Sequence, residues 1–333
     1  MTLLDVQNLT LQFDTDEGRI TAVEDVSFNV NPGEVMGLVG ESGSGKSVTA
    51  KALMQLNPSN SVYGDQSKIT LSLDDQKIDI LSLKTSREMQ IVRGGAISMI
   101  FQEPMASFAP AISIGDQMVE QLVLHKNITP QEAKDISIKM LDRVGISEAA
   151  KRFDQYAFEL SGGMRQRAMI AMALTTEPKL LIADEPTTAL DVTIQAQVLD
   201  LMKDLIAEFG MGIIFITHDL GVIAQTADKV AVMYLGRLVE QGPVRDVIRN
   251  PAHPYTQGLL NALPKLEDLD AELTPVPGDI PSPLERPDGC VFHTRCSQAI
   301  AGRCDVDRPK SSTVSPGHAA SCFLVEDQGE RVA

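Results

Sequence analysis

The chain has 333 residues, 43% hydrophobic and 22% charged, enough to bury a large core and to build two or three domains. Its formal net charge of −16 argues against a general nucleic-acid binder and against adhesion to anionic lipid, so an anionic ligand must be held by a local feature. The first ten residues lack a basic, apolar leader and no run approaches about 18 consecutive apolar residues, so neither a signal peptide nor a transmembrane helix is expected.

Residues 3–30 alternate apolar and polar, with Leu4, Val6 and Leu9, then Val23, Val26, Phe28 and Val30. They predict antiparallel strands joined around Asp14–Gly18. Phe13, near the end of the first arm, offers an aromatic face for a nucleotide base; the alternative is an ordinary core phenylalanine. The apolar run Val35-Met36-Gly37-Leu38-Val39 reads as a buried strand. Gly40-Glu41-Ser42-Gly43-Ser44-Gly45-Lys46-Ser47 follows, and Val48–Met54 reads as a helix. Strand, glycine-rich turn, Lys-Ser and helix together make a phosphate-binding P-loop. Glycines let successive backbone N–H groups face phosphate oxygens, Lys46 adds a full positive charge, and the Ser47 hydroxyl suits Mg²⁺.

Short strands are expected at Ile69–Leu73 and Ile78–Ile80, and a longer one at Ala96–Phe101 that ends at Gln102. The Gln102 amide can bond a metal-bound water near a phosphate. Residues 111–159 look helical, with Thr129-Pro130-Gln131-Glu132 as a start signal and an apolar stripe of Ile136, Met140, Leu141 and Val144. Leu160-Ser161-Gly162-Gly163 opens another helix and forms a second candidate anion site. Two such sites either face one phosphate chain together or meet across a dimer interface. Lys179–Ala183 is a buried strand that runs into Asp184-Glu185. The first carboxylate suits Mg²⁺, and the second suits a water to be oriented or deprotonated. Asp191 precedes an amphipathic helix marked by Ile194, Val198, Leu201, Leu205 and Phe209. The strand Gly212–Thr217 ends at His218, at the sheet edge where ligands bind in parallel folds.

The ordered set of P-loop, Gln102, Leu-Ser-Gly-Gly, Asp184-Glu185, Ala-Leu-Asp and His218 resembles the nucleotide-binding subunit of an ABC transporter across about residues 1–245. The resemblance implies an α/β P-loop ATPase core with an antiparallel β subdomain and an inserted helical subdomain. It assigns Phe13 to adenine, Gly40 and residues 42–48 (Val48 included) to the phosphates, and Ser47, Gln102 and Asp184 to Mg²⁺. Glu185 becomes the general base or water orienter, and His218 the γ-phosphate sensor. Ser161, Gly162, Gly163 and Asp191 act across a head-to-tail dimer. Met164 stands where most families carry Gln. A non-transport soluble ABC ATPase is the alternative within the family; a P-loop kinase or GTPase lacks Leu-Ser-Gly-Gly, and the Asn-Lys-x-Asp of a GTPase is absent.

Residues 251–333 change character. His253-Pro254-Tyr255-Thr256 begins a short helix, and residues 264–287 read as an extended Pro-rich and acidic linker. Cys290, Cys296, Cys304 and Cys322 are separated by five, seven and seventeen residues and are the only cysteines. In a reducing compartment such a group suggests a [4Fe–4S] cluster or Zn²⁺, with His293 and His318 as mixed-ligand alternatives. This C-terminal Cys-containing extension resembles that of the oligopeptide/dipeptide/nickel importer ATPases, and the resemblance favours the iron–sulfur cluster. It also implies a second homologous ATPase, two transmembrane permease subunits, an extracytoplasmic solute-binding protein, and a peripheral place on the cytoplasmic face of the membrane. Peptide is the expected solute. Ser107-Phe108-Ala109-Pro110 departs from the peptide-system pattern and keeps an oligosaccharide open. The division expected is 1–250 for the ATPase domain, with the helical subdomain at about 104–160, and 251–333 for the extension.

Overall fold

The computed structural model describes residues 2–74, 76–187, 192–263 and 276–330. Its strands are β1 Leu4–Thr15, β2 Gly18–Val30, β3 Val35–Val39, β4 Ser61–Tyr63, β5 Lys68–Leu73, β6 Gln76–Asp79, β7 Ile97–Ile100, β8 Leu180–Asp184, β9 Gly212–Thr217, β10 Lys229–Tyr234, β11 Arg237–Pro243, β12 Ser311–Ser315 and β13 His318–Ser321. Its helices are α1 Lys46–Ala52, α2 Ser86–Met89, α3 Pro104–Ser107, α4 Ile114–His125, α5 Pro130–Arg143, α6 Ala149–Phe153, α7 Gly162–Thr175, α8 Val192–Phe209, α9 Leu220–Thr226, α10 Val244–Arg249, α11 Pro254–Asn261 and α12 Phe323–Glu330. The chain folds as two compact units.

One unit comprises Met1–Leu3, Val30–Gly33 and Leu71–Ile214. In it β7 and β8 pair in parallel, Ile97 opposite Leu180 and Ile100 opposite Ala183. Both strands are buried throughout, as continuous apolar runs in a parallel sheet require. Helices α4 to α7 pack on one another. Thr129 and Glu132 close a capping box on α5, with Pro130 in its first turn. The buried stripe of α5 is Ala133, Ser137, Met140 and Leu141, continued by Val144, and Ile136 lies half-exposed. Ser137 is tolerated there because its hydroxyl donates to the Ala133 carbonyl at 2.7 Å. Among the described side chains of α8 the buried ones are Val198, Leu199, Met202 and Leu205, so Met202 takes the place expected of Leu201, and the side chain of Ile194 lies outside the described ones.

The other unit comprises Leu4–Asn29, Glu34–Thr70 and Phe215–Ala333. Strands β2, β1 and β5 lie side by side, and β4 pairs antiparallel with β1. A second sheet runs β12-β13-β11-β10-β3. Strand β10 is parallel to β3 and antiparallel to β11. The β10–β11 turn is Leu235-Gly236, both at positive φ (43° and 77°), as a two-residue hairpin of matching twist demands. A Cβ at Gly236 would stand 2.4 Å from the Ala22 carbonyl oxygen, so no larger residue fits. Hairpin β12–β13 was not expected; it joins the sheet through Glu240 opposite Ala320 and Gln241 opposite Ala319. Expected linker residues 264–275 lie outside the described residues. Among the described residues no helix is long and apolar enough to cross a membrane.

Candidate functional site

The phosphate cradle grows out of β3. Gly40 has φ 158°, and a Cβ there would stand 2.2 Å from the Met233 carbonyl oxygen. Ser42 and Gly43 are exposed, while Ser44 and Lys46 are buried, so the turn presents its tip and hides its base. Lys46 Nζ donates to the carbonyls of Gly40 (2.7 Å) and Glu41 (2.9 Å) and reaches the Ser44 hydroxyl at 3.4 Å. The turn is fixed from below: the Thr49 hydroxyl donates to the Gly45 carbonyl at 2.9 Å, and the Gly236 N–H to the Ser44 carbonyl at 2.8 Å. Ser47 and Val48 lie half-buried on α1, and Phe13 is half-buried on β1 opposite Ser61.

The candidate catalytic carboxylates end β8. Asp184 is buried. Glu185 follows at φ 49°, a left-handed conformation unusual for a side chain of its size and of the kind stored at functional sites. Gln102, after β7, donates its amide to Glu185 Oε2 at 3.2 Å. The structure thus brings together two residues singled out separately, 83 positions apart.

Ser161 caps α7, its hydroxyl accepting from the Met164 N–H at 3.4 Å. Ser161 and Gly162 are exposed, and a Cβ at Gly162 would meet nothing within 4 Å. Behind them Arg165 donates to the Ala157 carbonyl and Arg167 to the Val144 carbonyl and the Gln197 side chain. Buried Gln166 donates to the Pro186 carbonyl, next to Glu185. Sequence reading missed that role; the polar residue amid the apolar face of α7 was the available signal. His218 follows β9 and is exposed. Its neighbour Asp219, also missed, caps α9 by accepting from the N–H groups of Gly221 and Val222. Asp191 lies outside the described residues.

The cysteines gather at the C-terminal end of the second unit. Burial pushes the Cys290 thiol up to about 11, and the neighbouring Cys304, Cys322 and Cys296 add to the rise. Cys296 and Cys322 are also pushed up, chiefly by burial. The Ile300 N–H donates to Cys304 Sγ at 3.3 Å. Yet among the described residues no three His, Cys, Asp or Glu side chains form a group that could hold a metal ion. The mixed-ligand alternative loses His318. His318 is buried and bonded through Nε2 to Glu240 at 2.7 Å, and His293 Nδ1 meets the Cys290 carbonyl at 2.9 Å.

The sequence profile of the ABC transporter family matches residues 23–188. That of the oligopeptide/dipeptide transporter C-terminal region matches residues 239–304. The oligopeptide transport ATP-binding protein OppD of Salmonella typhimurium is 49% identical over 321 residues, covering 96% of this chain and 93% of its own. AppD of Bacillus subtilis, likewise named an oligopeptide transport ATP-binding protein, is 46% identical over 328 residues, 98% of each chain. A solved dimer of the ATP-binding cassette MJ0796, in a post-hydrolysis state with ADP and Pi, matches 73% of this chain and 99% of that one at 24% identity with a TM-score of 0.63, a likeness of fold. With cradle, carboxylate pair and capped Ser-Gly-Gly loop in place, the chain belongs to the ABC transporter family, as an ATP-binding protein of its oligopeptide/dipeptide branch.

Proposed function

We propose that this chain hydrolyses ATP to power the import of oligopeptides through a membrane ABC transporter. The observation that carries the reading is likeness over nearly the whole length to two ATP-binding proteins named for oligopeptide transport. Gly40 and residues 42–48 receive the phosphates: Lys46 exchanges its loop carbonyls for β- and γ-phosphate oxygens, and Phe13 stacks on the base. Glu185 orients or deprotonates the attacking water, with Gln102 steadying its carboxylate. His218 senses the γ-phosphate. Ser47, Gln102 and Asp184 would hold Mg²⁺, whose preference for hard oxygen donors matches a hydroxyl, an amide oxygen and a carboxylate. Bound there, the ion would neutralise phosphate charge.

Exposed Ser161 and Gly162, with half-buried Gly163 and with Asp191, serve the nucleotide of a second homologous ATPase. The two subunits close around ATP and reopen when the γ-phosphate leaves. Their free-energy difference moves the permeases. Phe101, Met105, Ile112, Tyr156 and Phe158 are exposed around the Gln102 strand end and the helical segment, and the rings of Tyr156 and Phe158 stack at 5.4 Å. Such apolar exposure supports two transmembrane permease subunits as partners and a peripheral position on the cytoplasmic face of the membrane. An extracytoplasmic binding protein delivers the solute. The division at residue 250, with the helical subdomain at about 104–160, is part of the same proposal.

The test is reconstitution with candidate permeases, a second ATPase and a binding protein of the oligopeptide type, in proteoliposomes loaded with ATP. ATP-dependent uptake of a labelled oligopeptide is expected. Uptake of an oligosaccharide in its place would favour the second reading, which Ser107-Phe108-Ala109-Pro110 supports.

We further propose that the four thiols hold a [4Fe–4S] cluster, with Zn²⁺ the alternative. The support is four mutually influencing sulfurs, with backbone N–H groups at Cys290, Cys296, Cys304 and Cys322 of the kind that stabilises bound thiolates. Anaerobically purified protein should be brown and contain iron and sulfide; colourless, zinc-loaded protein would rule the cluster out.

A further inference from the structure

The residue after Gly40 is a glutamate, and a carboxylate beside a phosphate cradle repels the anion the cradle exists to bind. The structure answers this with a residue from the far end of the chain. Arg295 Nη1 donates to Glu41 Oε2 at 2.8 Å and Nη2 to Oε1 at 3.1 Å, a two-pronged ion pair. Its remaining N–H groups are spoken for: Nε donates to the Pro277 carbonyl at 2.8 Å, Nη2 also to the Val276 carbonyl at 3.2 Å, and Nη1 reaches the Tyr234 hydroxyl at 3.5 Å. The guanidinium lies 5.7 Å from the Tyr234 ring centre, and the side chain is 4% exposed.

Glu41 is also gripped at its backbone. Its N–H donates to the Tyr255 hydroxyl at 2.9 Å, and its carbonyl is one of the two that hold Lys46. Tyr255 is itself packed on all sides: it is fully buried, and its ring lies 4.8 Å from that of Tyr234 and 5.3 Å from that of Phe292. This gives His253-Pro254-Tyr255-Thr256 a purpose that its sequence did not disclose. Glu41 therefore touches Lys46 through one atom and the C-terminal region through three.

We propose that Arg295 is a positioning residue of the nucleotide site: it neutralises Glu41 and, with Tyr255, holds the P-loop in the form that accepts a triphosphate. The proposal rests on the reading that Gly40 and residues 42–48 bind ATP. The guanidinium is positioned for this by rigid surroundings, and lysine, a point charge without a fork, is not its equivalent. Because Arg295 immediately precedes Cys296, the thiol segment and the nucleotide cradle are mechanically one piece.

The experiment is equilibrium binding of a fluorescent ATP analogue to the full chain, with a thermal melt of each nucleotide-free variant. Arg295→Met leaves a bare carboxylate and should weaken binding about ten-fold or more, the scale of one lost charge-assisted contact. High salt should recover part of that loss by screening. Adding Glu41→Gln to Arg295→Met should restore most of the affinity, which a residue that merely braced the fold would not do. Should Arg295→Met not fold, Arg295→Lys is read instead, and its affinity should fall by about three-fold or more. Lys46→Ala separates the two readings. If it abolishes binding while the Arg295 variants stay within about two-fold of wild type, or if the double variant binds no better than Arg295→Met, the Arg295 proposal is overturned alone. If Lys46→Ala binds like wild type, the cradle reading falls and takes the proposal with it.

Discussion

Glu185→Gln is expected to lower ATP turnover by about a hundred- to a thousand-fold while leaving ATP binding in place. The carboxylate stands just past a fully buried strand at φ 49°, so the backbone, rather than chance rotamer sampling, sets where it points. The Gln102 amide donates to it at 3.2 Å, and an amide oxygen in its place still accepts that bond. What the substitution removes is a negative charge able to draw a proton from water. Chemistry should stop with geometry intact, so ATP-bound protein should accumulate as a closed dimer. Phosphate release gives the rate, and gel filtration with radiolabelled ATP gives the trapped species. Turnover close to wild type would remove Glu185 from the mechanism.

The largest loss of stability should come from Glu240→Ala. The Glu240 side chain is fully buried and serves as acceptor for the Ala252 N–H (2.8 Å), the His253 N–H (2.9 Å) and His318 Nε2 (2.7 Å). Alanine orphans all three donors in a dry site, which costs roughly 3–5 kcal/mol and lowers Tm by about 10 °C. The same hub predicts acid sensitivity. Burial holds His253 down to about 3, and its Nδ1 must stay unprotonated to accept the Tyr255 N–H at 3.1 Å. The unfolded chain protonates this histidine near pH 6.5, at about the ordinary value. Between pH 6.5 and about 3 the unfolded state therefore binds more protons. The stabilisation is complete above that window and drains away as pH falls through it, at a slope of up to about 1.4 kcal/mol per pH unit. Glu24, drawn down to about 2 where three arginines outweigh its burial, adds a second loss between about 4.5 and 2. Chemical denaturation at several pH values checks both. His253→Asn should flatten the upper part of the curve; an unchanged curve would show that His253 does not drive the loss.

The parts read correctly from sequence share a physical reason. The P-loop, β8 with its carboxylates and the Ser161 cap are each made by contiguous residues whose backbone geometry follows from local chemistry. Where tertiary context decides, reading fails. The stripe of α8 takes Met202 over Leu201 because the neighbours choose among adjacent apolar residues. His318, offered as a metal ligand, is claimed by Glu240, 78 positions earlier. Arg295 reaches Glu41 across 254 positions, and nothing local marks either as a partner. Hairpin β12–β13, built of Ser-Ser-Thr-Val-Ser and His-Ala-Ala-Ser, carries too little alternation to announce itself.

That hairpin has a consequence for anyone shortening the protein. Strand β11 has β10 on one flank and β13 on the other. Cutting the chain before residue 311 would strip the second flank and leave a row of unpaired N–H and C=O groups beside Val239, a surface on which another chain can build. Truncated versions should therefore clump on expression even when their ATP-binding half is sound, and the serine-rich β12 that now forms the rim is the natural guard against it.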